Sequence, residues 1–430
     1  MSNTIATGWL AHNGAQLHPD VQISPASGSF TSTAPMPAAT ALLSVPSSAA
    51  LSTANGSLIQ RAPALSERAQ WPALILTIMY ECSLLDSKWR AYLDSLPREF
   101  DTLMYWTDDE LRELEGSAVL GKIGKDESMI MYQAEIMVFA EAHREIFQDV
   151  DMSLETFHRV GSWIMAFSSD FEKPVDENAM NDDDEDDDDD ERFDSLNSDK
   201  VMVPFANLLP GDCALTNCEW TTSASAITLT ATKDIPAGGT LYTDPGALPR
   251  SDLLRRLGAF PQSSARHDVI EIDSTLIISV AGKALSESAR DARIERLVDE
   301  ELLEDSYDIE VDGAIPSDIL VVVQAFAVDD ATFQSYVEQE RYPKAKKDGR
   351  ARDVLLEVVR KRREGYRTTG GEDVALLRGG EMLLRRRRMA VEVRLGEKEI
   401  LGKMEGVVRG WGDVEEVGSG GRERKRQKVR

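Results

Sequence analysis

Lys233–Gly258, KDIPAGGTLYTDPGALPRSDLLRRLG, decides the reading of this 430-residue chain. It reads as a strand followed by a turn. Tyr242 falls in the strand, and Pro245, three residues on, offers neither a hydroxyl nor a backbone N–H. An odd offset along a strand puts two side chains on opposite faces, so one could stand in for the other only through a bulge or a turn.

Outward from this stretch, composition sets the frame. With 42% hydrophobic residues the chain can bury two or three cores, and a multi-domain soluble protein is expected. No apolar run approaches the roughly 18–20 residues needed to span a bilayer, and no basic segment leads into an apolar one at the N-terminus. Neither membrane insertion nor secretion is expected. Cys82, Cys213 and Cys218 form a sparse, odd set that points to a reducing compartment. Cys213 and Cys218 are at most half a zinc site, and none of the five histidines lies near them in sequence, so small buried thiols are expected and no metal.

The formal charge is −27, and Asp182–Glu191 is an unbroken acidic block of ten, which leaves the remainder at about −17. Like charges cannot pack together, so residues 176–199 are expected to form a disordered, solvated loop; a docking strip for a basic partner is the alternative. The chain ends on the opposite sign, with Arg422, Arg424, Lys425, Arg426, Lys428 and Arg430 behind a Gly/Ser spacer. This tail reads as a nuclear-import signal or as a frayed basic terminus, so the expected location is nuclear, with the cytoplasm as a second.

The first 60 residues are rich in Ser, Ala, Thr and Pro, a composition that alone suggests disorder. From Trp71 an apolar pattern at i+3/i+4 spacing predicts helix through Leu93, stopped by Pro97. Thr107 and Glu110 make a capping box, and Gly116 closes that short helix. Further helices are predicted over Ser128–Phe147 and Leu154–Phe167, strands over Ile227–Ala231 and Val269–Ile272, and a helix from Pro316 to Ala327. Arg385–Arg388 point all around a helix, which favours a structural helix with acidic partners over a nucleic-acid patch.

Several strings then resemble one family along nearly the whole chain. ECSLLDSKWRAYLDSLPREFDTLMYWTDDELRELEGSAVLGKI (Glu81–Ile123) is similar to the helical insert of the SET-domain lysine methyltransferases that include the Rubisco and ribosomal-protein enzymes. Lys233–Gly258 resembles the end of their SET domain, and MVPFANLLPGDCALTNCEW (Met202–Trp220) resembles the segment before it. YRTTGGEDVALL (Tyr366–Leu377) and RRRRMAVEVRLGEKEIL (Arg385–Leu401) are similar to their C-terminal substrate-binding domain, and Ser27–Pro46, with Trp9-Leu10, Asn13-Gly14 and His18-Pro19 before it, resembles their opening strands, so this stretch is expected to fold.

The resemblance implies an α+β protein: a split, β-rich SET domain with a helical insert, then a mostly helical substrate-binding domain. The expected division is 1–64 and 200–262 for the SET halves, 65–175 for the insert, 176–199 for the acidic loop, 263–412 for the substrate-binding domain and 413–430 for the basic tail. It also implies S-adenosylmethionine-dependent N-methylation of a lysine on a basic protein, a ribosomal protein or histone, by a monomer with no direct nucleic-acid partner. Lysine methylation is an in-line displacement on a sulfonium methyl, in which positioning does most of the work.

Residue by residue, the family's catalytic tyrosine falls on Pro245, with Tyr242 as the nearest replacement; a core or tunnel aromatic is the other reading of Tyr242. The cofactor-binding turn falls on Ser27-Gly28-Ser29, with backbone contacts expected at Gly28, Ser29 and Leu209. Asn207 stands where the family has an aspartate, Pro210-Gly211 where it has Asn-His, and Asn217 keeps a later asparagine. Ser169 replaces an arginine that holds the cofactor's carboxylate, and Leu257 replaces an aromatic. Departures gathered on one site imply either a diverged enzyme or a non-catalytic module on the same fold that binds a lysine-rich partner.

Overall fold

The computed structural model describes residues 3–172, 198–339, 341–379 and 383–411, so most of the acidic tract and the basic tail lie outside the described residues. The fold is α+β and divides into two compact units: residues 1–105, 123–247 and 253–264, and residues 106–122, 248–252 and 265–430. The segment 106–122, expected within the helical insert, therefore belongs to the C-terminal unit. Residues 198 and 199, expected in the acidic loop, pair in a strand.

In the first unit, strands β1 (Gln16–Leu17), β4 (Ala41–Pro46), β7 (Cys218–Thr222) and β8 (Ala226–Ala231) form an antiparallel sheet in the order β1-β4-β8-β7. On β8, Ile227, Leu229 and Ala231 are buried while their neighbours are half-exposed, the period-two pattern of a strand with one face on a core. The β2–β3 hairpin (Val21–Ile23, Phe30–Ser32) and the β5–β6 ladder (Ser168–Glu172, Ser198–Met202) complete its strands. The Ser/Ala/Thr-rich N-terminal stretch is folded: helix Asn3–His12 places Trp9 and Leu10 in the core.

Against these strands lies helix Gln70–Ser83, buried at every position from Pro72 to Glu81, as expected of a helix apolar all round. The predicted continuation to Leu93 breaks after Ser83 because Glu81, fully buried, recruits the next segment: its carboxylate accepts from the Ser87 hydroxyl at 2.5 Å and from Ser57 N–H at 2.7 Å. The Ser87 oxygen in turn accepts from Trp89 N–H at 3.2 Å and starts the short helix Arg90–Leu93. The helix predicted at Ser128–Phe147 begins at Lys125, widens into a π-turn at Tyr132–Met137 and is interrupted at His143.

The second unit packs strands β9 (Val269–Asp273) and β10 (Ser306–Glu310) with helices Ser274–Ala281, Ser317–Ala327, Gly349–Glu364 and Arg385–Arg409 around Ile270, Ile277, Leu320, Phe326, Val358 and Leu401. Its polar interior explains the GEK string. Gly396 makes room for the buried Arg250–Asp268 pair, since a Cβ there would lie 2.5 Å from Asp268 Oδ2. Glu397 accepts from the Ser117 hydroxyl at 2.5 Å and the Tyr366 hydroxyl at 2.6 Å. Lys398 donates to Asp373 at 2.5 Å. Burial pushes the Asp373 carboxyl up, but hydrogen bonds from Arg394, Lys398 and Thr368 outweigh it and hold the group below the usual range. Arg386, Arg387 and Arg388 pair with Glu110, Glu113 and Glu392, so this run is structural.

Candidate functional site

Lys233–Gly258 does not run as a continuous strand. Its first half follows residues 30–36 through single bridges, Met36 with Ile235 and Thr31 with Thr240, and Leu241 N–H donates to the Phe30 carbonyl at 2.9 Å. Then the path crosses to a new partner: Thr243 N–H donates to Pro210 O at 3.1 Å, and Asp212 N–H donates to Thr243 O at 3.0 Å, a parallel bridge centred on Gly211 and Thr243. Tyr242 therefore lies in an extended crossing and not in the ladder strand the sequence suggests.

Asn217 holds this crossing. Its side-chain Nδ2 donates to Thr240 O at 2.9 Å while its Oδ1 accepts from Tyr242 N–H at 2.8 Å. Its backbone N–H and that of Cys218 both donate to the Tyr242 carbonyl. The thiol of Cys218 donates to the same carbonyl at 3.2 Å, and burial pushes that thiol up to about 12. Cys213 reaches the Ser263 hydroxyl at 3.4 Å, so each of these cysteines has its own local partner. The Tyr242 side chain is half-buried, and its hydroxyl makes no hydrogen bond among the described residues.

Pro245 sits in the turn Asp244–Gly246, closed by the Gly246 N–H donating to Asp244 Oδ1 at 2.9 Å, with Gly246 at φ +89°. The proline ring packs against Gly211: a Cβ built on Gly211 would meet the Pro245 Cβ at 3.2 Å. Two departures far apart in sequence are thus one contact in space. Sequence reasoning had no signal for that pairing.

The other predicted positions gather near the same crossing. Gly28, at φ +72°, closes the β2–β3 turn by donating to Ser24 O at 2.8 Å, and Ser29 N–H donates to the Ser27 hydroxyl at 3.3 Å. Leu209 N–H donates to Ala206 O at 2.9 Å. All three backbone N–H groups are engaged within the chain, and the Ser29 carbonyl accepts from Ser24 N–H at 2.8 Å, so the carbonyl oxygens of Gly28 and Leu209 are what a ligand could use. Asn207 lies on the one-turn helix Ala206–Leu208, entered through Phe205 at φ +68°, an uncommon conformation for a bulky residue, fixed by ring contacts with Trp9 and Tyr92. Asn207 Oδ1 is buried without a hydrogen-bond partner, an acceptor left open beside the site. The strain at Phe205 is the feature that the sequence reading passed over.

Two positions stand apart. Ser169 is exposed on β5, and the nearest cation of that ladder, Lys200, is held by Asp170 at 2.6 Å. Leu257 is 37% exposed near the end of helix Arg250–Leu257; the next residue, Gly258 at φ +69°, allows backbone to approach Asp101 and Thr102 where a Cβ would come within 2.6 Å.

Residues 285–401 match the family profile described as Rubisco LSMT substrate-binding. The chain is 27% identical over 310 residues to ribosomal lysine N-methyltransferase 4 of Saccharomyces cerevisiae, covering 67% of this chain and 62% of that one. It is 29% identical over 226 residues to the human N-lysine methyltransferase SETD6, covering 50% of this chain and 44% of that one. The alignments thus span less than two thirds of these relatives. Among solved structures, the SET domain of LSMT bound to lysine and AdoHcy superposes with a TM-score of 0.70 at 19% identity, covering 95% of this chain and 92% of the other. Rubisco LSMT bound to AdoMet superposes at 0.69 with 19% identity and the same coverage. The chain thus has the fold of the Rubisco LSMT SET-domain structures, carries a substrate-binding region of the Rubisco LSMT type at residues 285–401, and is similar in sequence to protein-lysine methyltransferases.

Proposed function

We propose that this protein is an S-adenosylmethionine-dependent protein-lysine N-methyltransferase that acts on a basic protein, with ribosomal proteins as the substrate class. The observation that carries the reading is the crossing of residues 240–243 over Gly211, which brings the Gly28–Ser29 turn, the Asn207–Leu209 turn and the Pro245 turn onto adjoining segments. The donor set fits the cofactor in part. Asn207 Oδ1, buried and without a hydrogen-bond partner among the described residues, suits an amino group, and the carbonyls of Gly28 and Leu209 accept no hydrogen bond among the described residues. No guanidinium stands at Ser169 to meet a carboxylate. When bound, the cofactor supplies an electrophilic sulfonium methyl; the chain's part is to hold the acceptor amine in line with it and exclude water. Pro245 supplies no hydroxyl to orient or deprotonate that amine, an absence worth on the order of 10² to 10⁴ in rate.

A second reading is favoured by the Pro245–Gly211 contact. A rigid ring packed on a residue without a side chain fills the position of two polar groups with apolar contact, which suits a module that captures a lysine-rich partner without turnover. Calorimetric titration with S-adenosylmethionine separates the readings. Saturable binding that weakens in Asn207→Ala supports the enzyme; no binding at millimolar cofactor, with a basic protein still captured, supports the module.

A further inference from the structure

Across the C-terminal unit, arginines sit against carboxylates: Arg293 on Asp330, Arg296 on Glu300, Arg363 on Glu405 and Arg394 on Asp373. Lys344, Lys346 and Arg350 depart from that pattern. No ion pair joins any of them to a carboxylate among the described residues, and all three line one cavity of about 490 Å³ at the start of helix Gly349–Glu364. Arg350 Nη1 donates to Ala327 O at 2.5 Å, which leaves the rest of its guanidinium free of intrachain bonds among the described residues. In a chain with 75 acidic and 48 basic residues, three cations without a direct ion pair among the described residues around one hollow are a local concentration of positive potential.

The single carboxylate in the lining, Asp348, offsets one of the three charges and leaves a net excess of two positive charges around the hollow. Asp348 is committed on both oxygens, Oδ1 to Ala351 N–H at 2.9 Å as the helix cap and Oδ2 to Gln324 Nε2 at 3.2 Å. Gln324 is itself buried, so this arrangement is a built floor and not a loose surface contact. Tyr336 adds an aromatic face and a hydroxyl with no hydrogen bond among the described residues.

We infer that this cavity is a binding site for a phosphate-bearing small molecule. Two lysines and an arginine match a phosphate's charge and its several acceptor oxygens. The volume lies in the range of small-molecule pockets and exceeds what one inorganic phosphate fills, so an organic group has room beside the Tyr336 ring. The site lies wholly in the C-terminal unit, goes beyond the methyl-transfer reading and does not depend on it.

The test is calorimetric titration of the full chain at fixed ionic strength with inorganic phosphate and, separately, phenyl phosphate. Saturable binding of phenyl phosphate, tighter than inorganic phosphate, is expected; equal affinities still support the site and point to free phosphate as its occupant. Lys344→Ala/Lys346→Ala should weaken binding at least tenfold, while Lys344→Arg/Lys346→Arg retains it. These residues are exposed or half-exposed, and an unchanged far-UV spectrum checks the fold; should the double variant misfold, Arg350→Gln is measured instead. No saturable binding of either probe up to about 10 mM, or equal affinity in wild type and the charge-removing variant, overturns the inference.

Discussion

Asn217→Ala removes a side chain that bridges both ends of the crossing. Two hydrogen bonds disappear, Nδ2 to Thr240 O at 2.9 Å and Tyr242 N–H to Oδ1 at 2.8 Å, and both are partly buried. A net loss of about 1 kcal/mol per bond, plus the cost of leaving the Tyr242 N–H and Thr240 C=O short of partners, gives roughly 2–4 kcal/mol. For a unit of this size that is a fall in Tm of roughly 8 °C, measurable by differential scanning calorimetry. Because the crossing sets where Thr243 meets Gly211, cofactor affinity should fall along with stability. Asn217→Asp is a sharper probe: it keeps an acceptor for Tyr242 N–H but turns a second carboxylate oxygen toward the Thr240 carbonyl, so at neutral pH it should do no better than alanine. An alanine variant within about 0.5 kcal/mol of wild type and with unchanged cofactor affinity would refute the bridging role.

Two further perturbations address the C-terminal unit. Gly396→Ala drives a methyl into the buried Arg250–Asp268 pair and should cost about 3–5 kcal/mol in urea unfolding; a loss below about 1 kcal/mol would show that the helix shifts freely. Burial holds the Glu397 carboxyl above its ordinary range despite the Ser117 and Tyr366 hydroxyls that favour its charged form. A raised folded-state value means its contribution is fully present below the unfolded pKa of about 4.3 and is lost as pH rises through the folded one. Glu397→Gln should therefore gain Tm relative to wild type as pH goes from 4 to 8, and a constant difference over that range would contradict the assignment.

What the sequence made legible was what is local. Leu154–Phe167 is a helix over the predicted span because Ser153 caps it, accepting from Thr156 N–H, and the Thr107–Glu110 capping box forms as read. The α+β plan and the C-terminal similarity were likewise readable, since strings such as GEDVALL and GEKEIL meet specific partners in the interior. Long-range contact was not. The break after Ser83 depends on the buried Glu81 carboxylate finding Ser57 and Ser87, the assignment of 106–122 to the C-terminal unit rests on Ser117 and Glu113 meeting Glu397 and Arg394, and Pro245 acquires its meaning only against Gly211. Lys344 and Lys346 carried no motif at all; the pocket shape singles them out.

The central proposal is that this fold supports methyl transfer, with Pro245 at the position where the resemblance expects a hydroxyl. Incubation of the full chain with methyl-labelled S-adenosylmethionine and a mixture of ribosomal proteins, with hydrolysis and counting of methyl-lysine, tests it most directly. The account predicts slow, cofactor-dependent label in wild type and a rate raised by a factor toward roughly 10² to 10⁴ in Pro245→Tyr, which returns a hydroxyl to that turn. Label at background in both proteins, each folded and each binding the mixture, would contradict it and leave the binding module as the function.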